Sequence, residues 1–303
     1  MSEPARYEII EPAFRALVLG NALLETLVSH ARWLEGPVWF ADHEVLLVSD
    51  IPNDRILRWS AAGGVSVFRQ PAGFPNGHTR DREGRLVGCS HLHRCVTRTE
   101  LDGTVTMLAD RFEGRRLCSP NDVVVSRDGS IWFTDPPYGI QTDYEGEKQE
   151  AELPPAVYWL DPGTRELRRV ADDFEGPNGL CFSPDEHVLY VTESGEQFSA
   201  APRRFIRAFD VDAAGTLSNS RIFHTVTPGY ADGIRCDTDG NLWCGAADGV
   251  HCISPAGALL GKILTPAPVS NLTFGGRLRS HLFLCAGQQL LAIAVNARGC
   301  QWP

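Results

Sequence analysis

The chain has 303 residues, 43% of them hydrophobic and 22% charged, which is enough apolar material for a sizeable buried core. A formal charge of −10 argues against nucleic acid or an anionic membrane surface as a partner, because both recruit clustered Lys and Arg. No apolar run approaches the roughly 20 residues that span a bilayer, and MSEPARYEIIEPAF lacks a basic segment followed by an apolar one, so no secretory leader is expected.

Along the chain, helical periodicity is scarce, and only the first thirty residues have room for a turn or two. Beyond them, short runs of Val, Leu, Ile, Phe and Trp alternate with turns of Gly, Pro, Asn and Asp. One strand type recurs, as LLVSD, RLVGC, SIWFTD, VLYVTE, NLWCG and HLFLC. Its anchor positions 46, 86, 131, 189, 242 and 282 are separated by 40, 45, 58, 53 and 40 residues. Six units of this length, each with about four strands, predict an all-β, six-bladed β-propeller built from four-stranded antiparallel blades. The last unit is one strand short, so an N-terminal strand is expected to close the ring, drawn from Tyr7 to Leu19. No composition shift marks a linker, and residues 1–303 are read as one domain. A pair of irregular β-sandwiches is the alternative, but sandwiches need no such repeat.

Nine cysteines form no framework and contain no C-x-x-C. Cys181, Cys236, Cys244, Cys252 and Cys285 fall inside apolar strands, where a free thiol packs as a small hydrophobe; a reducing, cytoplasmic setting is expected.

Upstream of each recurring strand lies a second recurring segment: EGPVWF, PNGHTRD, PNDVVVS, PNGLCFS, ADGIRCD and SNLTFGG. Their alignment puts Glu35, Asn76, Asn121, Asn178, Asp232 and Asn271 at one equivalent position. Any one of these would pass as a turn-former bonding its own backbone. Six in register, at the entries of channel-lining strands, point oxygen-bearing side chains at one axis. Two carboxylates with amide carbonyls suit a hard divalent cation, Ca²⁺ or Mg²⁺. Gly usually follows, which permits positive φ or a close backbone approach; Asp122 stands there in the third unit and is read as a turn residue tolerant of the left-handed region.

The loops between second and third strands face the same end. They include SDIPNDR, CSHLHRC, TDPPYG with its acidic extension, TESGEQFSAAPRRF and GAADG. The insertion IQTDYEGEKQEAELPPA is placed to cover the channel mouth. Two prolines stiffen Asp135-Pro136-Pro137-Tyr138 and hold Tyr138 over the cavity. His91 and His93 lack a third zinc ligand at usable spacing, so His91 is read as a polar wall of the cavity. There is no G-x-S-x-G, H-E-x-x-H or G-x-G-x-x-G, and GALLGK falls short of a P-loop.

The segments LEGPVWF, SPNDVVVSRDGSIWFTDPPYG, FEGPNGLCFSPDE and YADGIRCDTDGNLW, spread from Leu34 to Phe274, resemble the gluconolactonase, senescence-marker-protein and luciferin-regenerating-enzyme-like six-bladed propellers. SPND followed by FTDPPYG looks like the bacterial gluconolactonase-type branch. That branch often has Asn where this chain has Cys118, which removes a polar substrate contact. The resemblance implies hydrolysis of a sugar lactone with one divalent ion, Ca²⁺ foremost and Mg²⁺, Zn²⁺ or Mn²⁺ as alternatives. It implies metal ligands at Glu35, Asn121, Asn178 and Asp232, with Asp232 also the expected base for the attacking water. Substrate contacts are expected from Asn76, His91, Asn121, Asp135, Tyr138 and Asn271. The expected partner is a small-molecule lactone, with no nucleic acid or membrane, and the chain a monomer or small homo-oligomer. Two other readings stay open: an organophosphate or aryl-ester hydrolase on the same scaffold, and a non-enzymatic propeller that binds proteins.

Overall fold

Val124 and Trp132 face the next blade along the ring, while Val123, Val125, Ile131 and Phe133, beside them on the same two strands, face the previous one. A strand that is apolar on both faces has to be sandwiched, and that requirement stacks the sheets face to face around an axis. In a computed structural model describing residues 2–195 and 203–301, six antiparallel sheets form this ring, four of them four-stranded and two extended to five strands by N-terminal segments. The first blade comprises Leu34–Phe40, Val45–Asp50, Arg55–Ser60 and Gly64–Arg69. The second comprises Pro75–Arg80, Leu86–Ser90, Cys95–Thr99 and Val105–Ala109. Val123–Val125, Ile131–Asp135, Ala156–Leu160 and Leu167–Ala171 make the third. Pro177–Phe182, Val188–Glu193, Phe205–Val211 and Leu217–Thr225 make the fourth. The fifth holds Ile234–Cys236, Leu242–Ala246, Gly249–Ile253 and Leu259–Leu264.

The sixth blade begins with Asn271–Gly275, His281–Ala286 and Gln289–Ala294 and is completed by Leu23–Val28 from the N-terminal region. The ring therefore closes through an N-terminal strand, but not through Tyr7–Leu19. Arg6–Ile9 instead adds a fifth, outer strand to the fifth blade beside Leu259–Leu264. Phe14, in the one-turn helix Phe14–Leu17, is fully buried against Trp243. Six apolar clusters result, one at each blade-to-blade interface. Hydrophobic burial thus fixes the ring and leaves the first strands of all six blades around the channel.

The loop read from TESGEQFSAAPRRF falls in part on residues 196–202, which lie outside the described residues. No helix among the described residues is long and apolar enough to cross a membrane.

Candidate active site

At the channel entry the first strands press together. A Cβ on Gly77 would sit 2.5 Å from the Asn121 carbonyl oxygen, and one on Gly179 would sit 2.4 Å from that of Asp232. Close approach, more than backbone handedness, therefore demands glycine after the polar residue; of this set only Gly36 has a positive φ, +53°. Hydroxyls from the second strands clip three of the entries to the preceding blade, and backbone N–H groups of Gly77 and Gly233 bond to the Asn121 and Ser270 carbonyls of the next. Ser49 Oγ donates to the Asn76 carbonyl at 2.7 Å, Thr134 Oγ1 to that of Asn178 at 2.7 Å, and Thr192 Oγ1 to that of Asp232 at 3.0 Å. Each bond runs from one blade to the next, so the entries form a hydrogen-bonded collar.

Inside the collar is a cavity of about 190 Å³. Glu35, Asn76, Asn121, Asn178 and Asp232 line it, together with Tyr138 and, from the third-blade insertion, Gln141 and Glu145. Trp33, Ile51 and Tyr230 add aromatic and apolar surface. Asn271 is buried and turned away from this space: its amide nitrogen donates to Glu35 Oε2 at 2.9 Å, beside the Gly36 N–H on the same oxygen. It holds Glu35 and is not part of the cavity lining.

Two further candidates also lie outside the cavity lining. His91 lies one layer behind it, where Asn76 Nδ2 donates to its Nε2 at 3.1 Å and its Nδ1–H donates to the Glu145 carbonyl at 2.9 Å. Burial lowers its pKa to about 4, which keeps the ring in this neutral form. Asp135 is also absent from the cavity. Its Oδ2 accepts the Cys118 N–H at 2.8 Å, and burial pushes the carboxyl up to about 7. The same job recurs in other blades: Asp50 accepts the Arg32 N–H, and Glu193 accepts those of Glu175 and Gly176. Acids at the ends of second strands anchor the loop that leads into the channel residue of the same blade. Nor is Asp122 a turn residue; it is buried in the channel with Oδ2 3.4 Å from Arg235 Nη1.

Glu145 was not singled out in the sequence, because it lies in an insertion with no counterpart in other blades. It is half-buried in the cavity, and desolvation raises it to about 7. Trp33 and Tyr230 were missed too, although each stands two residues before a channel carboxylate. Burial raises Glu35 and Asp232, and each carboxylate sees further negative charge; for Asp232 the neighbours are Glu35, Glu145 and Asp122, opposed by a hydrogen bond with Asn178.

The donor set tests a hard cation. Among the described residues no three His, Cys, Asp or Glu side chains alone make a ligand cluster. The cavity instead offers three carboxylates with amide oxygens and no cationic side chain in its lining. Asn76 Oδ1 is buried without a hydrogen-bond partner. Uncompensated negative charge with oxygen-only donors fits Ca²⁺ or a similar ion.

Residues 33–288 match the family described as SMP-30/Gluconolactonase/LRE-like region. The chain is 30% identical to a gluconolactonase of Zymomonas mobilis, over 95% of this chain and 85% of that one. A gluconolactonase structure from Xanthomonas campestris superposes with a TM-score of 0.89 at 39% identity, covering 97% of this chain and 95% of the other. A calcium-binding protein, regucalcin, from Agrobacterium tumefaciens shares the fold at a TM-score of 0.71 and 17% identity, over 93% and 95% of the two chains.

Proposed function

The chain belongs to the SMP-30/gluconolactonase/LRE-like family and is a lactonase, and from that premise we propose that it opens sugar lactones in a reaction that depends on one divalent metal ion. The observation carrying the metal dependence is the acidic, oxygen-lined cavity without a protein cation. Glu35, Asn121, Asn178 and Asp232 would hold the ion. When bound, it would polarise the lactone carbonyl and offset the negative charge that develops on the carbonyl oxygen.

The remaining work falls to side chains of the collar. Asp232, half-buried and with its proton affinity raised, takes a proton from the attacking water at its carboxylate. Asn76 Oδ1 accepts from a sugar hydroxyl, because His91 already engages the amide nitrogen. Tyr138 covers one side of the ring, and Trp33 and Tyr230 give its apolar edges a surface. Among the described residues the cavity lining holds no serine or cysteine, so water attacks directly without an acyl-enzyme.

All nine cysteines are unpaired and eight are buried, which supports a reducing, cytoplasmic setting. The test is a lactone panel in chelator-treated buffer with Ca²⁺, Mg²⁺, Zn²⁺ and Mn²⁺ restored in turn, followed by elemental analysis. A parallel assay on a phosphotriester separates the lactonase from the organophosphate reading. Full turnover of glucono-1,5-lactone after exhaustive metal removal would overturn metal dependence.

A further inference from the structure

The first strands continue past the collar to the opposite mouth of the channel. Cys181 is three residues beyond Asn178 and Cys236 four beyond Asp232, roughly 10–13 Å further along at about 3.3 Å per residue. There the two thiols meet, with Sγ atoms 3.9 Å apart. The segment leaving the sixth blade crosses this mouth. Asp237 and Gly299 form an antiparallel bridge, Thr238 N–H donates to the Arg298 carbonyl at 2.8 Å, and Cys300 N–H donates to the Cys236 carbonyl at 3.1 Å. That pattern sets Cys300 directly opposite Cys236. Facing residues in such a pair have Cα atoms about 5.5 Å apart, inside the range a disulfide requires.

All three cysteines line one cavity of about 220 Å³, together with Arg82 and Arg127, which pair with Glu186 in the same lining, and Arg235, which pairs with Asp122. Cys181 and Cys236 are buried, whereas Cys300 is partly open to solvent. Of the three, the partly exposed thiol is the one that an oxidant in solvent reaches. The hydrogen bonds run the same way: Cys181 donates to Cys236, and the contact with Cys236 lowers Cys300 below the ordinary thiol value while raising Cys236.

We propose that Cys300 is an oxidation site for small hydroperoxides and that Cys236 resolves it, the two forming a reversible disulfide that staples the terminal segment under the channel. In the first step the Cys300 thiolate sulfur attacks hydrogen peroxide, the O–O bond breaks, and Cys300 sulfenic acid and hydroxide result. In the second, the Cys236 sulfur attacks the sulfenic sulfur, the S–S bond forms, and the sulfenic OH leaves as water with the Cys236 proton. Two thiols lose two electrons and one peroxide is reduced. Cys181 stays a thiol and holds the Cys236 sulfur in place.

The full chain, reduced and then treated with stoichiometric hydrogen peroxide, should lose two of its nine thiols. Mass mapping without reductant should find a Cys236–Cys300 linked peptide that dithiothreitol releases. Cys300→Ser should slow thiol loss by at least ~10-fold. Cys236→Ser should leave Cys300 as a sulfenic acid that dimedone traps. The mapping uses unmutated protein, so a variant that fails to fold does not block it. A Cys181–Cys236 link, dimedone capture at another cysteine, or thiol loss unaffected by Cys300→Ser would each overturn the assignment.

Discussion

The Asn271 amide nitrogen donates to Glu35 Oε2 across 2.9 Å, joining the last blade to the first beside the acidic cavity. Asn271→Leu keeps the volume and removes the donor, leaving a buried carboxylate oxygen with one N–H in place of two. We expect a loss of about 1–3 kcal/mol in stability and a drop of about 10–100-fold in divalent-ion affinity, read by denaturant titration and calorimetry. Unchanged ion affinity would show that Glu35 needs no fixed orientation.

Glu35→Gln and Asp232→Asn remove negative charge from a crowded, desolvated site. Lactonase activity should fall by roughly 10³-fold in each. In metal-free buffer above neutral pH both variants should melt higher than the unmodified protein, because burial and mutual repulsion penalise the ionised pair. Calcium should raise the melting temperature of the unmodified protein and leave Asp232→Asn nearly unmoved. Initial rates on lactone check the activity loss, and scanning calorimetry with and without chelator checks the melting temperatures.

How much of this was legible in the sequence depended on repetition. Six copies let Glu35, Asn76, Asn121, Asn178, Asp232 and Asn271 be aligned without any knowledge of their contacts. Destinations set by a neighbouring blade were not legible. Asp122 looks like a turn residue until Arg235, 113 positions away, is brought against it. Asp135 ends the strand Ile131–Asp135 and precedes prolines, which reads as a rim; its N–H donor comes from a loop 17 positions earlier. Glu145 sits in an insertion, where periodicity has nothing to compare. The closing strand was misplaced because alternation fits Tyr7–Ile9 as well as Leu23–Val28, and both do become strands.

Asp135→Asn tests the loop-anchor role. Asp135 titrates near 7 in the folded protein, above its ordinary 3.8, so its protonation favours the fold fully below pH 3.8, and that contribution is lost as pH rises through 7. The variant should match the unmodified protein near pH 4 and exceed its stability at pH 8, by at most about 4 kcal/mol. KM for lactone should not change. A raised KM with no stability gain would return Asp135 to the substrate.

His78 shifts in the opposite direction. Burial between the first two blades lowers it from 6.5 to about 4, and Ser49 Oγ lies 3.2 Å from its Nδ1. The neutral ring is compatible with the fold above pH 6.5, and stability is lost as pH falls toward 4 because the unfolded chain takes up the proton first. His78→Gln should flatten the acid limb of the stability curve by up to about 3 kcal/mol between those limits. Urea titrations at half-unit pH steps give the comparison, and an identical slope in the variant would assign acid sensitivity elsewhere.

His91→Phe addresses the wall of the cavity. The imidazole packs against Gly139, where an added Cβ would lie 2.3 Å from the ring, so a six-membered ring strains that contact as well as deleting both hydrogen bonds. His91→Gln is the gentler partner, because its amide can donate to the Glu145 carbonyl but cannot also reach Asn76 in the same geometry. Both variants should free the insertion, seen as faster amide exchange over residues 140–149. KM should rise about tenfold, the worth of one well-placed hydrogen bond, with kcat changing less because the carboxylates stay in place. Should kcat fall instead while KM and exchange stay constant, His91 would act on the chemistry itself, and the insertion would be held by Arg94, whose Nη1 donates to Gln149 Oε1 at 2.9 Å.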